Sequence, residues 1–154
     1  MIKEHKTASF GRSIGFSITS SKRGWIAENS DIFGKWLILD KCPRNLEKFK
    51  HKLDELAEKG KIIQAKFYNI KKMNQKKVSL LPRRKESILL VYCYKKEKEK
   101  VGRLLKNLGL EPKEWKSNAQ TVKDWLPGGE LFEEMKATLP KEKFLKVLKE
   151  KIVP

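Results

Sequence analysis

Histidine, cysteine and glycine-rich loops are scarce in this chain of 154 residues. The two histidines, His5 and His51, have neither a metal-ligand nor a triad spacing, which argues against the usual zinc sites and catalytic triads. Cys42 and Cys93 lie far apart, so buried reduced thiols are the simplest interpretation. The stretch GRSIG at 11–15 is too short for a phosphate-binding loop. We expect no metal and no cofactor, and any enzyme here has to work with Lys, Tyr and Arg.

Long hydrophobic runs are also absent. No apolar stretch approaches the length of a membrane span, and the N-terminal segment carries charge without the apolar core of a signal peptide. We therefore expect a cytoplasmic protein with no membrane partner. The length suits a single domain over 1–154, large enough to bury a core without disulfides. The sequence has no internal repeat and no second domain boundary.

Acidic residues are too few to balance the basic ones. Lys and Arg number 36 against 19 Asp and Glu, which gives a formal net charge of +17 and a pI near 9.9. Such a surface favours anionic partners. Only six of the basic residues are arginine, and lysine-rich, glutamate-rich compositions also recur in heat-adapted proteins whatever their function. The charge thus indicates the sign of a ligand and not its identity.

Apolar periodicity predicts strands and helices in mixed order. Strands are predicted over 35–40, 61–70 and 87–95, the last of these central in the sheet. Helices are predicted after an N-cap at Asn45, from Glu97 to Gly109, and from Pro140 onward. Residues 1–20 are predicted to form an edge strand or a mobile arm, and 109–135 an irregular segment with short strands or a helical turn.

This order predicts the α+β class, with a mainly antiparallel sheet and about three helices packed on one face. The other face is left open. An open sheet face is a common platform for nucleic acids.

The segment KKMNQKKVSLLPRRK at 71–85 joins two predicted strands and contains no carboxylate. Its seven cations are Lys71, Lys72, Lys76, Lys77, Arg83, Arg84 and Lys85. Together they are able to neutralise several phosphates, and such binding is strongly salt-dependent. The alternative is a solvated connector in a lysine-rich protein.

Four tryptophans are many for a core of this size. They are Trp25, Trp36, Trp115 and Trp125. A tryptophan on an open sheet stacks on nucleic-acid bases, which makes Trp115 and Trp125 candidates for base contacts. The alternative is packing in the core or at its rim, and Trp36 fits the core.

Lys66 lies inside a predicted strand, on the same face as Gln64 and Tyr68. A lysine in that position either extends to solvent or projects into a functional concavity. In a concavity, neighbouring cations lower the pKa of its ammonium group and make it a candidate proton acceptor.

Four stretches resemble, in order and spacing, the Bles-type family, which is named after a basophilic-leukaemia-expressed protein. They are GKWLILDK at 34–41, GKIIQAKFYN at 60–69, ILLVYCYKKEKEKVGRLLKNLGL at 88–110 and WKSNAQT at 115–121. The resemblance implies the fold of the cap-binding translation initiation factors, in which helices pack on the convex side of a curved antiparallel sheet. In those factors two tryptophans and an acidic residue hold a methylated guanine. Cap recognition does not carry over, because Trp125 precedes Leu126 and not an acid, and Glu114 precedes Trp115.

The same family is also likened to phosphothreonine lyases, which remove phosphate by β-elimination with a lysine base and a histidine acid. The stretch AKFYN resembles the strand that carries the base, which corresponds to Lys66. Tyr68 then stands where the lyases have the acid, and Lys116 or a cation of the 71–85 segment holds the phosphate.

Three hypotheses follow. The first is a nucleic-acid- or nucleotide-binding protein that uses the basic segment and the open sheet face, with RNA, another polyanion or a phosphorylated molecule as its ligand. The second is a phosphothreonine-lyase-like enzyme, a carbon–oxygen lyase acting on phosphates with Lys66 and Tyr68 as its catalytic pair. The third is a protein-interaction module whose charge serves solubility.

Overall fold

A single antiparallel sheet of five strands organises the chain, for which the computed structural model describes residues 14–19 and 30–152. The strands are β1 Gly15–Thr19, β2 Phe33–Asp40, β3 Gln64–Tyr68, β4 Ser87–Tyr94 and β5 Glu114–Ser117. Their order across the sheet is β1-β3-β4-β2-β5. β4 is central, as its apolar run predicts, while β1 and β5 are the two edges. Of the segment 1–20, residues 1–13 and 20 lie outside the described residues.

The helices outnumber the three that periodicity predicts. They are α1 Arg44–Glu47, α2 Lys50–Glu58, α3 Ile70–Gln75, α4 Lys98–Leu108, α5 Asn118–Trp125, α6 Glu130–Thr138 and α7 Lys141–Val147. A 3₁₀ turn over Lys95–Glu97 precedes α4, and a π-helical turn over Leu148–Ile152 follows α7. The α+β class with an antiparallel sheet is therefore confirmed.

Two local predictions are wrong for identifiable reasons. Asn45 lies inside α1 and is not an N-cap, because its side-chain amide donates to the carboxylate of Asp40. Cys42 is exposed in the turn after β2, whereas Cys93 is buried as predicted. Gly109 ends α4 in the left-handed conformation, with φ +100°, as its position in the sequence predicts.

The larger hydrophobic cluster lies between one face of the sheet and helices α1, α2 and α4. Strand residues alternate between the faces, so every second side chain of β1, β3 and β4 enters this cluster. The buried sheet residues are Phe16, Ile18, Ala65, Phe67, Leu89, Val91 and Cys93. The helices contribute Leu46, Leu53, Ala57, Val101 and Leu105.

Two glycines make room for tryptophans on this face. A Cβ at Gly34 would lie 2.2 Å from the ring of Trp115, and one at Gly102 would lie 2.9 Å from the ring of Trp36. Both tryptophans are half-buried against the larger cluster. The indole nitrogen of Trp36 also donates to the carbonyl of Lys98, at 2.9 Å. Trp36 is thus part of the core, as expected.

A second, smaller cluster joins α6 and α7 to α5 and to the connector between β3 and β4. Its buried residues are Phe132, Met135, Leu139 and Val147, and its half-buried members are Leu80, Leu81, Trp125, Phe144 and Leu148. The irregular segment predicted over 109–135 contains β5 and two helices. Its turn-forming residues misled the prediction, because Ser117 caps α5 and Gly129 precedes α6.

Candidate functional site

Five side chains converge on the sheet face opposite the larger cluster. They are Lys35, Lys66, Tyr68, Tyr92 and Lys116, and we call them the lysine–tyrosine cluster. Lys35 pairs directly with Tyr92 on β4 and with Lys116 on β5. Lys66 and Tyr68 share this face because Ala65 and Phe67, which alternate with them, are buried on the other.

Tyr92 lies between two of the lysines. The Nζ of Lys35 is 5.4 Å from the centroid of its ring, and the Nζ of Lys66 is 5.6 Å from the same centroid. Both distances are within the range of cation–π attraction. Burial raises the pKa of the Tyr92 and Tyr68 phenols, so both stay protonated at neutral pH.

Lys35 is almost fully buried, with 6% of its surface exposed. Its Nζ donates to the hydroxyl of Thr121 on α5, at 2.5 Å. The Thr121 hydroxyl in turn donates to the carbonyl of Ser117, at 3.2 Å. Thr121 therefore acts toward Lys35 as an acceptor, and its own proton is already used by the backbone.

The protonation of Lys35 is unusual for a lysine. Burial first, and then the charges of Lys116 and Lys66, lower the pKa of its ammonium group from 10.5 to about 8, while Asp124 acts in the opposite direction. Removing a charge from water disfavours the charged form, and two like charges nearby do the same. Lys35 consequently titrates close to neutral pH.

Asp124 on α5 is the acidic partner within this site. One of its oxygens accepts from Lys116 Nζ at 2.6 Å, and the other accepts from Gln120 Nε2 at 2.8 Å. The side chains of Lys116 and Asp124 are only 15% and 8% exposed. Burial alone would raise the pKa of Asp124, but the hydrogen bonds from Lys116 and Gln120 outweigh it and hold that pKa below its usual value. Both oxygens of this carboxylate are engaged.

The structure brings together three of the residues that the sequence selected, namely Lys66, Tyr68 and Lys116. Most cations of the 71–85 segment instead lie on the surface: Lys71, Lys72, Lys76, Lys77, Arg83 and Lys85 are exposed. The first two are on α3, a helix capped by the Asn69 side chain, which accepts from the backbone of Lys72. Their contact with phosphates stays a prediction.

Arg84 differs from its neighbours in this segment. It forms a salt bridge to Glu134 on α6, with Nη2 to Oε1 at 2.7 Å and Nε to Oε2 at 2.9 Å. Asn74 donates to the backbone carbonyl of Arg84, at 3.0 Å. This pairing attaches the connector between β3 and β4 to α6 of the smaller cluster. A phosphate contact of Arg84 stays a prediction.

The two tryptophans proposed for base stacking do not reach the lysine–tyrosine cluster. Trp115 is next to Lys116 in β5 and therefore lies on the opposite face, against the larger cluster. Trp125 packs in the smaller cluster with α6 and α7. Trp25 lies outside the described residues. The aromatic rings on the face of the cluster belong to Tyr68 and Tyr92 and to the paired Phe33 and Tyr94, whose ring centroids are 4.9 Å apart.

Lys35, Tyr92 and Asp124 are the site residues that sequence reasoning missed. A signal for Lys35 does exist, because FGKWLILD alternates so that a lysine shares a strand face with apolar Phe33 and Leu37. Such a lysine needs either a path to solvent or a polar environment. The face of Tyr92 could not be predicted, because Tyr92 lies in a nearly continuous apolar run in which polar and apolar residues alternate only weakly.

Other chemistries find less support in the described part of the chain. Residues 14–19 and 30–152 contain no group of three or more His, Cys, Asp and Glu side chains able to hold a metal ion. Over the same residues, every helix is too short or too polar to cross a lipid bilayer. Comparisons with family models, with curated proteins and with solved structures gave no match to this chain.

Proposed function

We propose that this protein binds RNA, with one phosphate group held at the lysine–tyrosine cluster. The observation that carries the proposal is the convergence of Lys35, Lys66 and Lys116 from three strands onto one sheet face. Asp124 compensates one of these charges at most, and its oxygens are already engaged by Lys116 and Gln120. An excess of positive charge at a half-buried position attracts an anion more strongly than the same charge in water.

Phosphate suits the donors that the site presents. Lysine ammonium groups bind phosphate as point charges with several donors each. The half-buried Tyr68 supplies a protonated phenol and an aromatic face beside the cations, whereas Tyr92, 8% exposed, is buried between Lys35 and Lys66. Bases of single-stranded RNA stack on tyrosine rings without a strict sequence preference. This combination favours a single-stranded ligand over a duplex.

The exposed cations of α3 and of the connector after it extend this positive region. α3 begins two residues after Tyr68, so the segment 71–85 leaves the sheet beside the cluster. A flexible polyanion anchored at the cluster meets further lysines there, which contribute long-range attraction and salt-dependent affinity. A net charge of +17 supports the same partner.

Binding of a short single-stranded RNA, measured by fluorescence anisotropy over a range of salt concentrations, tests the proposal. Lys66→Gln is the test variant. Lys106→Gln is the matched control, because Lys106 is exposed on α4, a helix that packs on the other face of the sheet. Loss of one phosphate contact reduces the slope of log affinity against log salt by about 0.7. We expect that change for Lys66→Gln and none for Lys106→Gln.

If the two variants had equal effects, RNA binding would result from general attraction by surface charge and not from a phosphate contact at the cluster. Weak RNA binding by the unaltered protein even at low salt would remove the proposal altogether.

A second candidate function is β-elimination of phosphate, with Lys66 as base and Tyr68 as acid. The observation in its favour is that Lys66, Tyr68 and Lys116 share one sheet face, and that burial keeps the Tyr68 phenol protonated and so able to donate. Its test is the loss of phosphate from a phosphothreonine peptide, followed by mass spectrometry. Elimination removes phosphoric acid from the phosphothreonine and leaves a carbon–carbon double bond, whereas hydrolysis leaves an intact threonine, and the two products differ in mass by one water. Unchanged turnover by Lys66→Ala would exclude this mechanism.

A further inference from the structure

We propose that Lys35 is a reactive amine that forms a Schiff base with an aldehyde or ketone bearing an anionic group, which Lys66 and Lys116 hold. The inference goes beyond RNA binding and does not depend on it, although both use the same cluster. It concerns the one lysine of the site that is almost fully buried.

The hydrogen bonds around Lys35 leave its amine suited to attack. Thr121 accepts a hydrogen from Nζ and gives its own hydroxyl hydrogen to the carbonyl of Ser117. The lone pair of a neutral Lys35 amine is therefore not consumed by Thr121. The same bond fixes the position of Nζ, which reduces the entropy lost when a carbonyl compound reacts.

The titratable groups around Lys35 come from four elements, and two of the three that are charged oppose its protonation. Lys66 on β3 and Lys116 on β5 repel a third positive charge, while the Tyr92 phenol on β4 is neutral. Asp124 on α5 attracts the proton but is shared with Lys116 and Gln120. With a pKa of about 8, roughly a quarter of the Lys35 amine is neutral at pH 7.5, against about one part in a thousand for an ordinary lysine.

The neighbouring cations determine which carbonyl compounds fit. A lysine beside other cationic groups is the recognised arrangement for an amine nucleophile. Lys66 and Lys116 bring positive charge to the approach, so a phosphate or carboxylate on the substrate is attracted and placed near Nζ. Gln64, which pairs directly with Tyr92, and Lys66, which pairs with Leu90, are both half-buried, so solvent reaches the cluster from the β3 side.

The reaction balances without an oxidant or a reductant. The Nζ lone pair of neutral Lys35 attacks the carbonyl carbon, and the carbonyl oxygen takes up a proton to give a carbinolamine. The nitrogen returns one of its hydrogens to solvent in place of the proton that the oxygen took up, and the hydroxyl leaves as water with the second amine hydrogen, so that a carbon–nitrogen double bond remains. Hydrolysis by the reverse path restores the lysine.

Pyridoxal 5′-phosphate is a suitable probe because it is an aldehyde with a phosphate group. The full chain is treated with less than one equivalent at pH 7.5, the imine is trapped with cyanoborohydride, and the modified lysines are mapped by mass spectrometry. The large neutral fraction of the Lys35 amine predicts that Lys35 is modified at least about tenfold faster than an exposed lysine such as Lys106. Pyridoxal, which lacks the phosphate, should keep the preference that comes from the neutral amine and lose only the further gain that contacts to the phosphate provide.

Two variants make the result decisive. Lys66→Gln keeps the Lys35 amine but removes one anion contact and one of the charges that lower the pKa of Lys35. We therefore expect slower labelling of Lys35 by both probes, with a larger decrease for pyridoxal phosphate than for pyridoxal. Lys35→Arg should abolish the adduct, with circular dichroism confirming that the variant folds. The proposal would be overturned if the most exposed lysines were labelled and Lys35 was not. It would also be overturned if Lys35→Arg gave as much adduct as the unaltered protein. RNA affinity measured on the same samples separates this outcome from failure of RNA binding.

Discussion

Lys35 and Lys116 are directly opposed residues on the adjacent strands β2 and β5. Like charges that face each other on adjacent strands repel, and this repulsion lowers the stability of the sheet. The protein reduces this repulsion by two contacts: Asp124 binds Lys116, and Thr121 accepts from Lys35. The remaining excess of positive charge is what makes the face a candidate anion site.

Replacing Lys35 by methionine is expected to stabilise the fold at neutral pH. The pKa of Lys35 is lower in the folded chain, about 8 against 10.5, so the unfolded chain binds more protons between these values and stability of the unaltered protein rises with pH across that window. The corresponding free energy is about 3 kcal/mol, all of it unfavourable below pH 8. By urea unfolding, the free energy of unfolding of the unaltered protein should be higher at pH 10.5 than at pH 7. This increase should be absent in Lys35→Met. Lys106→Met is the exposed control, and a gain that persists in Lys35→Met would contradict the assignment.

Asp124→Asn is expected to weaken the fold and strengthen RNA binding. The substitution breaks a salt bridge whose side chains are nearly buried, which lowers the free energy of unfolding by about 3 kcal/mol. It also releases Lys116 toward a phosphate, so the slope of log affinity against log salt should increase by about 0.7. Glu99→Gln makes the same change of charge at an exposed position on α4 and should alter neither property. Weaker RNA binding by Asp124→Asn would show that Asp124 orders the site instead of competing for it.

Tyrosine and not tryptophan substitutions are expected to affect RNA affinity. Trp115→Phe changes a residue of the larger cluster on the opposite face, so it should lower stability by about 1–3 kcal/mol and leave RNA affinity unchanged. Tyr68→Leu removes the half-buried ring that shares a strand face with Lys66, and the loss of one stacking contact corresponds to about 1–3 kcal/mol of binding free energy. Anisotropy titrations of the two variants at the same salt concentration decide which face of the sheet binds RNA. A larger effect of Trp115→Phe on affinity would place the ligand elsewhere.

Arg84 and Arg83 provide a matched pair within the basic segment. Arg84→Met removes a half-exposed salt bridge to Glu134 and should lower stability by about 1 kcal/mol with little change in the salt dependence of RNA binding. Arg83 is exposed, so Arg83→Met should leave stability within about 0.5 kcal/mol and, if the segment contacts RNA, reduce the salt slope. Chemical denaturation and anisotropy on both variants give the comparison. Equal behaviour of the two arginines would remove the structural role assigned to Arg84.

The sequence predicts this fold well where the signal is local. Alternation in QAKFY identifies β3 and correctly puts Lys66 and Tyr68 opposite Ala65 and Phe67. Gly109 marks the end of α4, and Pro140 precedes α7. The same local rules failed at Asn45, where a contact with Asp40 overrides the usual preference of asparagine for N-caps.

The site depends on pairing between distant segments, and this is why only part of it was predicted. Nothing near residue 35 or residue 116 indicates that β2 and β5 are neighbours, so the opposition of Lys35 and Lys116 has no local signal. The faces of Trp115 and Lys116 follow from the same pairing. The resemblance to the Bles-type family and to cap-binding factors stays a prediction.

The two hydrophobic clusters have a consequence for how the native state opens. α5 belongs to both regions, because Trp125 packs with α6 and α7 while Thr121 and Asp124 hold Lys35 and Lys116 on the sheet. A protein with separate clusters exchanges its amide hydrogens in separate cooperative units. An anion bound at the lysine–tyrosine cluster therefore slows amide exchange in α6 and α7 only if it also restrains α5. In that case the exchange rates of α6 and α7 indicate whether the cluster is occupied, although neither helix contacts it.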